Sequence, residues 1–162
     1  METKRLRKYK MNADQFVQLL PKATLWAEEQ EKKILARGIP LSTQQLEDAK
    51  IIPVKCPEKT RILQVRSIPL PEDPELKYAA QEIRLITPNT IGMSFRYGIY
   101  VRYDYWNNRE TLVHELVHTL QYERSGGLGQ FLEQYLRECI EYGYPQAPLE
   151  QEAINKAKKI CR

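Results

Sequence analysis

The chain has 162 residues, of which 42% are hydrophobic and 28% charged, a composition typical of a globular protein of ordinary domain size. No apolar run approaches the ~20 residues needed to cross a bilayer, so we expect no membrane segment, and the polar start of the chain predicts no secretory signal. Its three cysteines form no CxxC pair, which argues against a disulfide scaffold or a cysteine zinc site and favours a reducing, cytoplasmic location.

The positive charge is concentrated at the start of the chain. The net charge is +4, and the first ten residues supply it, with five basic residues against one acidic residue. The rest of the chain is balanced, so nucleic acid is not favoured as a partner. We predict a basic tail over residues 1–11 and one domain over 12–162, with a helical part (12–52) followed by a sheet and metal-helix part (53–162).

The predicted elements run from helices through a small sheet back to helices. A helical pattern covers residues 13–37 with an interruption at Pro21, and a short helix with Ser42 as N-cap covers 43–50. Strands are predicted at 61–66, 83–86, 93–96 and 98–103, with a short helix at 75–81. The pattern after residue 104 is helical to the end. This order predicts a single α+β domain.

The most informative segment is the HExxH motif at residues 114–118. His114 and His118 are the only histidines in the chain. Positions i and i+4 of a helix share one face, so both imidazoles can bind one metal ion. Glu115 is rotated by about 100° around the helix, where a general base for an attacking water belongs.

The flanks of the motif support a helix. Asn107 or Asn108 can cap its start, and Gly126 and Gly127 mark its end. An apolar stripe lies roughly opposite the histidines, formed by Leu112, Val113, Leu116, Val117 and Leu120. The pattern therefore predicts a helix with a core-facing side and a metal-binding side.

The third metal ligand is expected to be a carboxylate, since no other histidine exists and no cysteine lies near a second ligand-like residue. The downstream candidates are Glu133, Glu138, Glu141, Glu150 and Glu152. Glu150 lies within the apolar face of the last predicted helix, where a carboxylate needs a partner and a zinc ion supplies one. Glu138 is the second choice. Glu152 is predicted to point outward with the lysines of that helix.

The run from His114 to Gln121, HELVHTLQ, together with the later PLEQEA at residues 148–153, resembles the gluzincin zinc metallopeptidases, in particular short bacterial families with HExxHxxQ and PxExEA elements. The resemblance covers roughly residues 83–160. It implies a zincin-like domain with Zn²⁺ as cofactor and maps the third ligand onto Glu150. Where membrane-bound relatives carry an Asp, this chain has Ile154.

The same resemblance implies roles for other residues. Glu115 would be the catalytic base, and a tyrosine, for which Tyr144 is our choice, would stabilise the oxyanion. The strand at residues 98–103 would be a sheet edge that receives an extended peptide or protein substrate. An ordinary central strand is the alternative.

Two functions remain open at this stage. One is a zinc-dependent metallopeptidase with ligands His114, His118 and Glu150. The other is a non-catalytic, zinc-stabilised module that binds a protein partner through the same ligands. Glu115 favours the enzyme, because a structural zinc site needs no base and usually has four protein ligands.

Overall fold

The computed structural model describes residues 11–162, so almost all of the predicted basic tail lies outside the described residues. In this range the helices are α1 (Ala13–Arg37), α2 (Thr43–Ile51), α3 (Pro74–Glu82), α4 (Arg109–Ser125), α5 (Leu128–Tyr142) and α6 (Pro148–Ile160). The strands are β1 (Ile39–Pro40), β2 (Arg61–Val65), β3 (Gly92–Phe95) and β4 (Gly98–Arg102). The predicted α+β class is confirmed. None of these helices combines the length and apolarity that a bilayer span requires.

The four strands form one mixed sheet in the order β1-β2-β4-β3. β2 and β4 are parallel, and the two outer pairings are antiparallel. The expectation that residues 98–103 form a sheet edge is therefore wrong, because β4 lies between two neighbours. Its first four residues are all buried, as expected for a strand covered on both faces. On the side nearer to α4, the edge is β3.

Helices cover both faces of the sheet. Successive side chains of β4 point to opposite faces. Tyr100 packs in an apolar cluster with residues of α1 and α5, whereas Ile99 and Val101 pack with residues of α2, α4 and α6. Helix α4 reaches both clusters, since its Tyr122 lies in the first one. It therefore runs along the border between the two layers, beside β3.

Helix α1 is continuous through Pro21, which corrects the predicted interruption. Proline removes one backbone donor, which leaves the carbonyl of Val17 without its helical partner. Val17 is 68% exposed and Pro21 is also exposed, so that carbonyl lies on the water-facing side of the helix. Packing of the opposite side against the core then keeps the helix intact.

The predicted strand at residues 83–86 is not formed. Arg84 has a left-handed backbone with φ of 59°, and the N–H groups of Leu85 and Ile86 both donate to the carbonyl of Ala80. The chain therefore turns back onto the C-terminal end of α3. Apolar residues at alternate positions are also typical of a strand, which explains the wrong prediction. Ile86 is nevertheless buried, because the turn places it in the core.

Candidate metal centre

The two histidines of α4 and the first turn of α6 meet at one point. His114 Nε2 lies 2.8 Å from Glu150 Oε1, and His118 Nε2 lies 3.0 Å from Glu150 Oε2. The two Nε2 atoms are 3.2 Å apart. The structure thus brings together the three residues predicted as metal ligands, and within residues 11–162 they form a group that could hold a metal ion.

Local sequence signals set the register of α4. Asn108 is the N-cap, and its side chain accepts a hydrogen bond from Thr111 N at 2.9 Å. Gly126 ends the helix with φ of 96°, a left-handed value that favours glycine. Both predicted ends of this helix are confirmed, with Asn108 as the cap. The metal-binding side is itself buried at His118 and Gln121.

Gln121 determines which nitrogen of His118 is available. Its Oε1 lies 2.8 Å from His118 Nδ1, and an amide oxygen can only accept, so Nδ1 carries the proton and Nε2 faces the cluster. The amide is itself oriented, since its Nε2 donates to the carbonyl of Leu149 and to Glu152 Oε1, each at 2.9 Å. Such partners fix the tautomer of metal-binding histidines.

Glu152 completes this chain of hydrogen bonds. The expectation that it points outward with the lysines is wrong, because its Oε1 accepts from both Gln121 and Arg124. These two contacts lower the pKa of Glu152 against the opposing effect of burial. Glu152 is therefore a charged acceptor that supports the amide behind His118. It is outside the group of three candidate ligands.

Glu150 is 2% exposed, and two tyrosines hold its carboxylate. The hydroxyl of Tyr135 donates to Oε2 at 2.8 Å, and that of Tyr144 donates to Oε1 at 3.3 Å. The ring of Tyr135 also meets the ring of His118 edge to face, with centroids 5.7 Å apart. The buried carboxylate therefore has the partners that its charge requires.

The charges of the cluster depend on one another. Burial opposes a charge on His118, but Glu150 outweighs it and raises the pKa of His118 to about 9. Burial likewise opposes the charge on Glu150, and the two histidines nevertheless lower the pKa of Glu150 well below its usual range. Burial raises the pKa of Tyr135 and Tyr144, so both remain hydrogen-bond donors.

Glu115 lies beside this cluster without being part of it. The Oγ of Ser94 in β3 is 2.8 Å from Glu115 Oε2 and 2.8 Å from the backbone oxygen of Glu115. A serine hydroxyl has one proton and can also accept. It can donate to the ionised carboxylate, or it can turn to the backbone oxygen and accept a hydrogen bond from the neutral carboxyl. Ser94 therefore suits both protonation states of Glu115.

The other oxygen of Glu115 lies against the edge strand. A Cβ atom at Gly92 would stand 2.9 Å from Glu115 Oε1, which is closer than real Cβ contacts allow. Glycine at this position therefore lets the carboxylate approach the backbone of β3. The side chain of Glu115 is thereby held between α4 and β3, next to the two histidines.

The other candidate carboxylates are engaged elsewhere. Glu138 Oε1 accepts from Leu149 N at 2.8 Å, so this residue caps the start of α6. Glu133 pairs with Arg137 on the surface of α5. Glu141 is exposed on the same helix. The choice of Glu150 over these residues agrees with the geometry of the cluster.

The cluster fits a zinc ion by donor type and by distance. Two imidazole nitrogens and one carboxylate are a common donor set for zinc, with bonds of ~2.0–2.2 Å. A tetrahedral ion with such bonds holds its ligand atoms roughly 3.4 Å apart. The observed separations of 2.8 to 3.2 Å need only a small outward movement. A bound metal would displace the proton that lies between His118 Nε2 and Glu150.

Sequence reasoning missed the supporting residues. Tyr135 and Ser94 give no signal in the sequence, since both are ordinary residues in regular elements. Gln121 stands out only as the last residue of the HExxHxxQ pattern. A polar residue three positions after a candidate histidine ligand was a usable signal for Gln121, because positions i and i+3 are neighbours on a helix.

Comparisons with known proteins give no relative: no family model matches the chain, and no curated protein and no solved structure matches it significantly. Function therefore has to be inferred from the chemistry of the site.

Proposed function

We propose that this protein is a zinc-dependent peptidase with a zincin-like fold. His114, His118 and Glu150 would hold the metal, and Glu115 would be the general base. The observation that carries the proposal is the position of Glu115, which is 5% exposed and held by Ser94 beside three ligand atoms but is not itself a ligand. A site with three protein ligands keeps a position open, as catalytic zinc sites do.

A bound Zn²⁺ would polarise the substrate carbonyl and lower the pKa of water. The Oε1 atom of Glu115 would take a proton from the attacking water and later pass it to the leaving amine. Ser94 would keep the carboxylate in place through this cycle, donating to it while it is charged and accepting from it while it is neutral. The role of Ser94 is thus to position the base.

Tyr144 is our candidate for stabilising the oxyanion. It lies next to Glu150 on a partly exposed loop, and its hydroxyl is only weakly engaged there, at 3.3 Å from Oε1. Because burial raises the pKa of Tyr144, the hydroxyl is protonated at neutral pH. It could donate to a developing oxyanion without leaving the neighbourhood of the cluster.

An extended peptide substrate would lie along β3 rather than β4. Arg102 N donates to the carbonyl of Ile91, so the antiparallel alternation turns the backbone of Gly92 and Ser94 away from β4. The carbonyl of Ser94 is taken by the hydroxyl of Tyr122. Gly92, beside Glu115, is therefore the point where a substrate backbone could pair with this edge.

The cysteines support a proposal for the compartment. All three are free thiols, and Cys139 is buried. We therefore propose a reducing compartment such as the cytoplasm, where disulfides are rare.

The decisive test separates the base from the ligand. Glu115→Gln should retain zinc and lose hydrolysis of an unfolded protein substrate, because it removes a proton acceptor and no metal bond. Glu150→Gln should lower zinc affinity at least ~10-fold, because replacing even a residue that only hydrogen-bonds to a metal ligand has an effect of that size. Metal content per chain and release of peptides are the two readouts, and Glu141→Gln on the surface of α5 is the matched control.

Three outcomes would contradict the proposal. Zinc-loaded protein that hydrolyses no peptide, together with partner binding that survives Glu115→Gln and fails with Glu150→Gln, would establish the structural module instead. Release of metal by Glu138→Gln but not by Glu150→Gln would mean that the third ligand is wrong. Equal hydrolysis by the wild type and by Glu115→Gln would show that Glu115 is not the general base.

A further inference from the structure

An apolar cavity opens directly from the metal-ligand cluster. Its volume is about 100 Å³, and its polar end is formed by His114, His118, Glu115 and Glu150. Away from that end, the walls come from α1, α3, α5 and β3, and none of the described side chains lining these walls carries a charge. Whatever enters the cavity from the cluster therefore meets a mostly apolar lining without a charged group.

Helix α1 contributes one wall of this cavity. Leu20, Ala23 and Trp26 follow one another at intervals of three residues on the same side of the helix, and all three line the cavity. Ala23 is 7% exposed and presents only a methyl group there. Leu136 of α5 also lines the cavity and packs near Ala23. A change of size at position 23 would act directly on the available space.

A second cleft beside the cluster has a different character. It adjoins His114 and Glu115, and its lining includes the polar side chains of Arg84, Asn108 and Glu110. A substrate bound at the cluster could therefore reach both this more polar cleft and the apolar cavity. The two would favour different kinds of side chain.

We propose that the apolar cavity is the specificity pocket for one aliphatic side chain (Leu, Ile, Val or Met) next to the bond to be cut. This inference rests on the proposed peptidase function and adds the substrate class. An apolar cavity of ~150 Å³ accepts a benzene ring, so about 100 Å³ suits a smaller, aliphatic group. A charged side chain would be buried there without a partner, which is strongly unfavourable.

Trp26 provides a readout that does not depend on activity. It lines the cavity and meets Phe95 edge to face, with ring centroids 5.2 Å apart. The other tryptophan, Trp106, packs in the apolar core on the opposite face of the sheet. In a Trp106→Phe background, Trp26 reports alone. The probes are blocked pentapeptides, acetyl-Ala-Ala-Xaa-Ala-Ala-amide, with Leu, Phe, Ala or Glu at Xaa. They are titrated into the zinc-loaded Glu115→Gln protein.

We expect the Leu peptide to shift the Trp26 emission and to bind at least tenfold tighter than the Glu peptide. Ala23→Leu fills the pocket and should abolish the advantage of Leu over Ala. Leu20→Ala enlarges it and should move the preference toward Phe by roughly tenfold, the scale of one or two methylene groups. Leu25→Ala is the matched control, because Leu25 lies on α1 but is 58% exposed.

The outcomes distinguish this inference from the proposed function. Equal binding of the Leu and Glu peptides, or a ranking that Ala23→Leu and Leu20→Ala both leave unchanged, overturns the pocket whether or not the protein cuts peptides. Selective binding that responds to both variants, without cleavage by the protein with Glu115 restored, supports the pocket and overturns the peptidase. Should Ala23→Leu fail to fold, the opposite shift expected for Leu20→Ala remains the test.

Discussion

At the scale of single residues, Gln121 connects the two halves of the site. It accepts from His118 on its own helix and donates to the first turn of α6, at Leu149 and Glu152. One amide therefore orients an imidazole and fixes the helix that carries Glu150. Neither function follows from composition or hydropathy at position 121.

Replacing this amide should weaken metal binding without removing a ligand. Gln121→Leu keeps much of the side-chain volume but leaves His118 Nδ1 without an acceptor, so we expect zinc affinity to fall 10- to 100-fold, as for other partners of metal ligands. Competition with a chromophoric chelator measures the change. Gln134→Leu on the surface of α5 is the control, and an unchanged affinity in Gln121→Leu would contradict the role.

Gly92 sets the distance between the base and the edge strand. Gly92→Ala would put a methyl group 2.9 Å from Glu115 Oε1, and the flexible carboxylate would have to move away. We expect the fold and zinc content to be kept while hydrolysis falls at least tenfold, because a misplaced base loses most of its effect. Gly129→Ala, whose Cβ would have its nearest neighbour at 3.8 Å, is the control. Full activity in Gly92→Ala would show that this contact is irrelevant to catalysis.

At the scale of elements, the site depends on the close approach of α4 and α6. Ala153 and Ala157 are 0% and 1% exposed, and they pack with Val113 and Val117 of α4 in one apolar cluster. Small residues at these positions let the two helices approach. Glu150, one turn before Ala153, is thereby brought within reach of the histidines.

Enlarging this contact should affect stability and zinc together. Ala153→Leu would force α6 away from α4, with an expected loss of ~1–3 kcal/mol in the free energy of unfolding and weaker zinc binding. Urea denaturation of the metal-free protein measures the first effect, and chelator competition measures the second. Asn155→Leu introduces the same side chain at an exposed position of α6 and should change neither. A loss of stability with unaltered zinc affinity would show that the packing of α6 against α4 does not control metal binding.

At the scale of the whole molecule, a metal bound by this cluster would join two helices that are far apart in the sequence. His114 and His118 belong to α4, and Glu150 belongs to α6, with α5 between them. Glu31 of α1 further ties this side of the molecule together, since its carboxylate accepts from Arg96 and from Tyr97 N at the β3–β4 turn. The three ligands thus lie on helices that are held by the sheet and by the helices that cover its two faces.

Zinc should therefore stabilise the folded chain. At a free zinc concentration 100 times the dissociation constant, the gain is ~2.7 kcal/mol, which for a chain of this length corresponds to a rise of about 5–11 °C in Tm. His118→Ala should show no rise. Mg²⁺ is the control ion, because it prefers oxygen ligands. Equal shifts with Mg²⁺ or in His118→Ala would exclude binding at this cluster.

The sequence by itself determined the parts of the site that depend on local spacing. Two histidines four residues apart, an asparagine cap at 107 or 108 and a glycine at 126 specify a helix with both imidazoles on one side, because helical periodicity is a local property. Glu150 could also be chosen from the sequence, since a carboxylate on an apolar face requires a partner. The succession of helices and strands gave the α+β class for the same local reason.

Only the tertiary structure decided which residues surround those ligands. Tyr135 reaches Glu150 and Glu152 reaches Gln121 because α5 and α6 fold back onto α4. Ser94 reaches Glu115 because β3, not β4, is the edge strand. Each of these contacts joins two different elements and spans 15 to 31 positions in the sequence. No helical or strand periodicity encodes such separations. The apolar cavity beside Trp26 likewise exists only once α1, α3 and α5 are packed together.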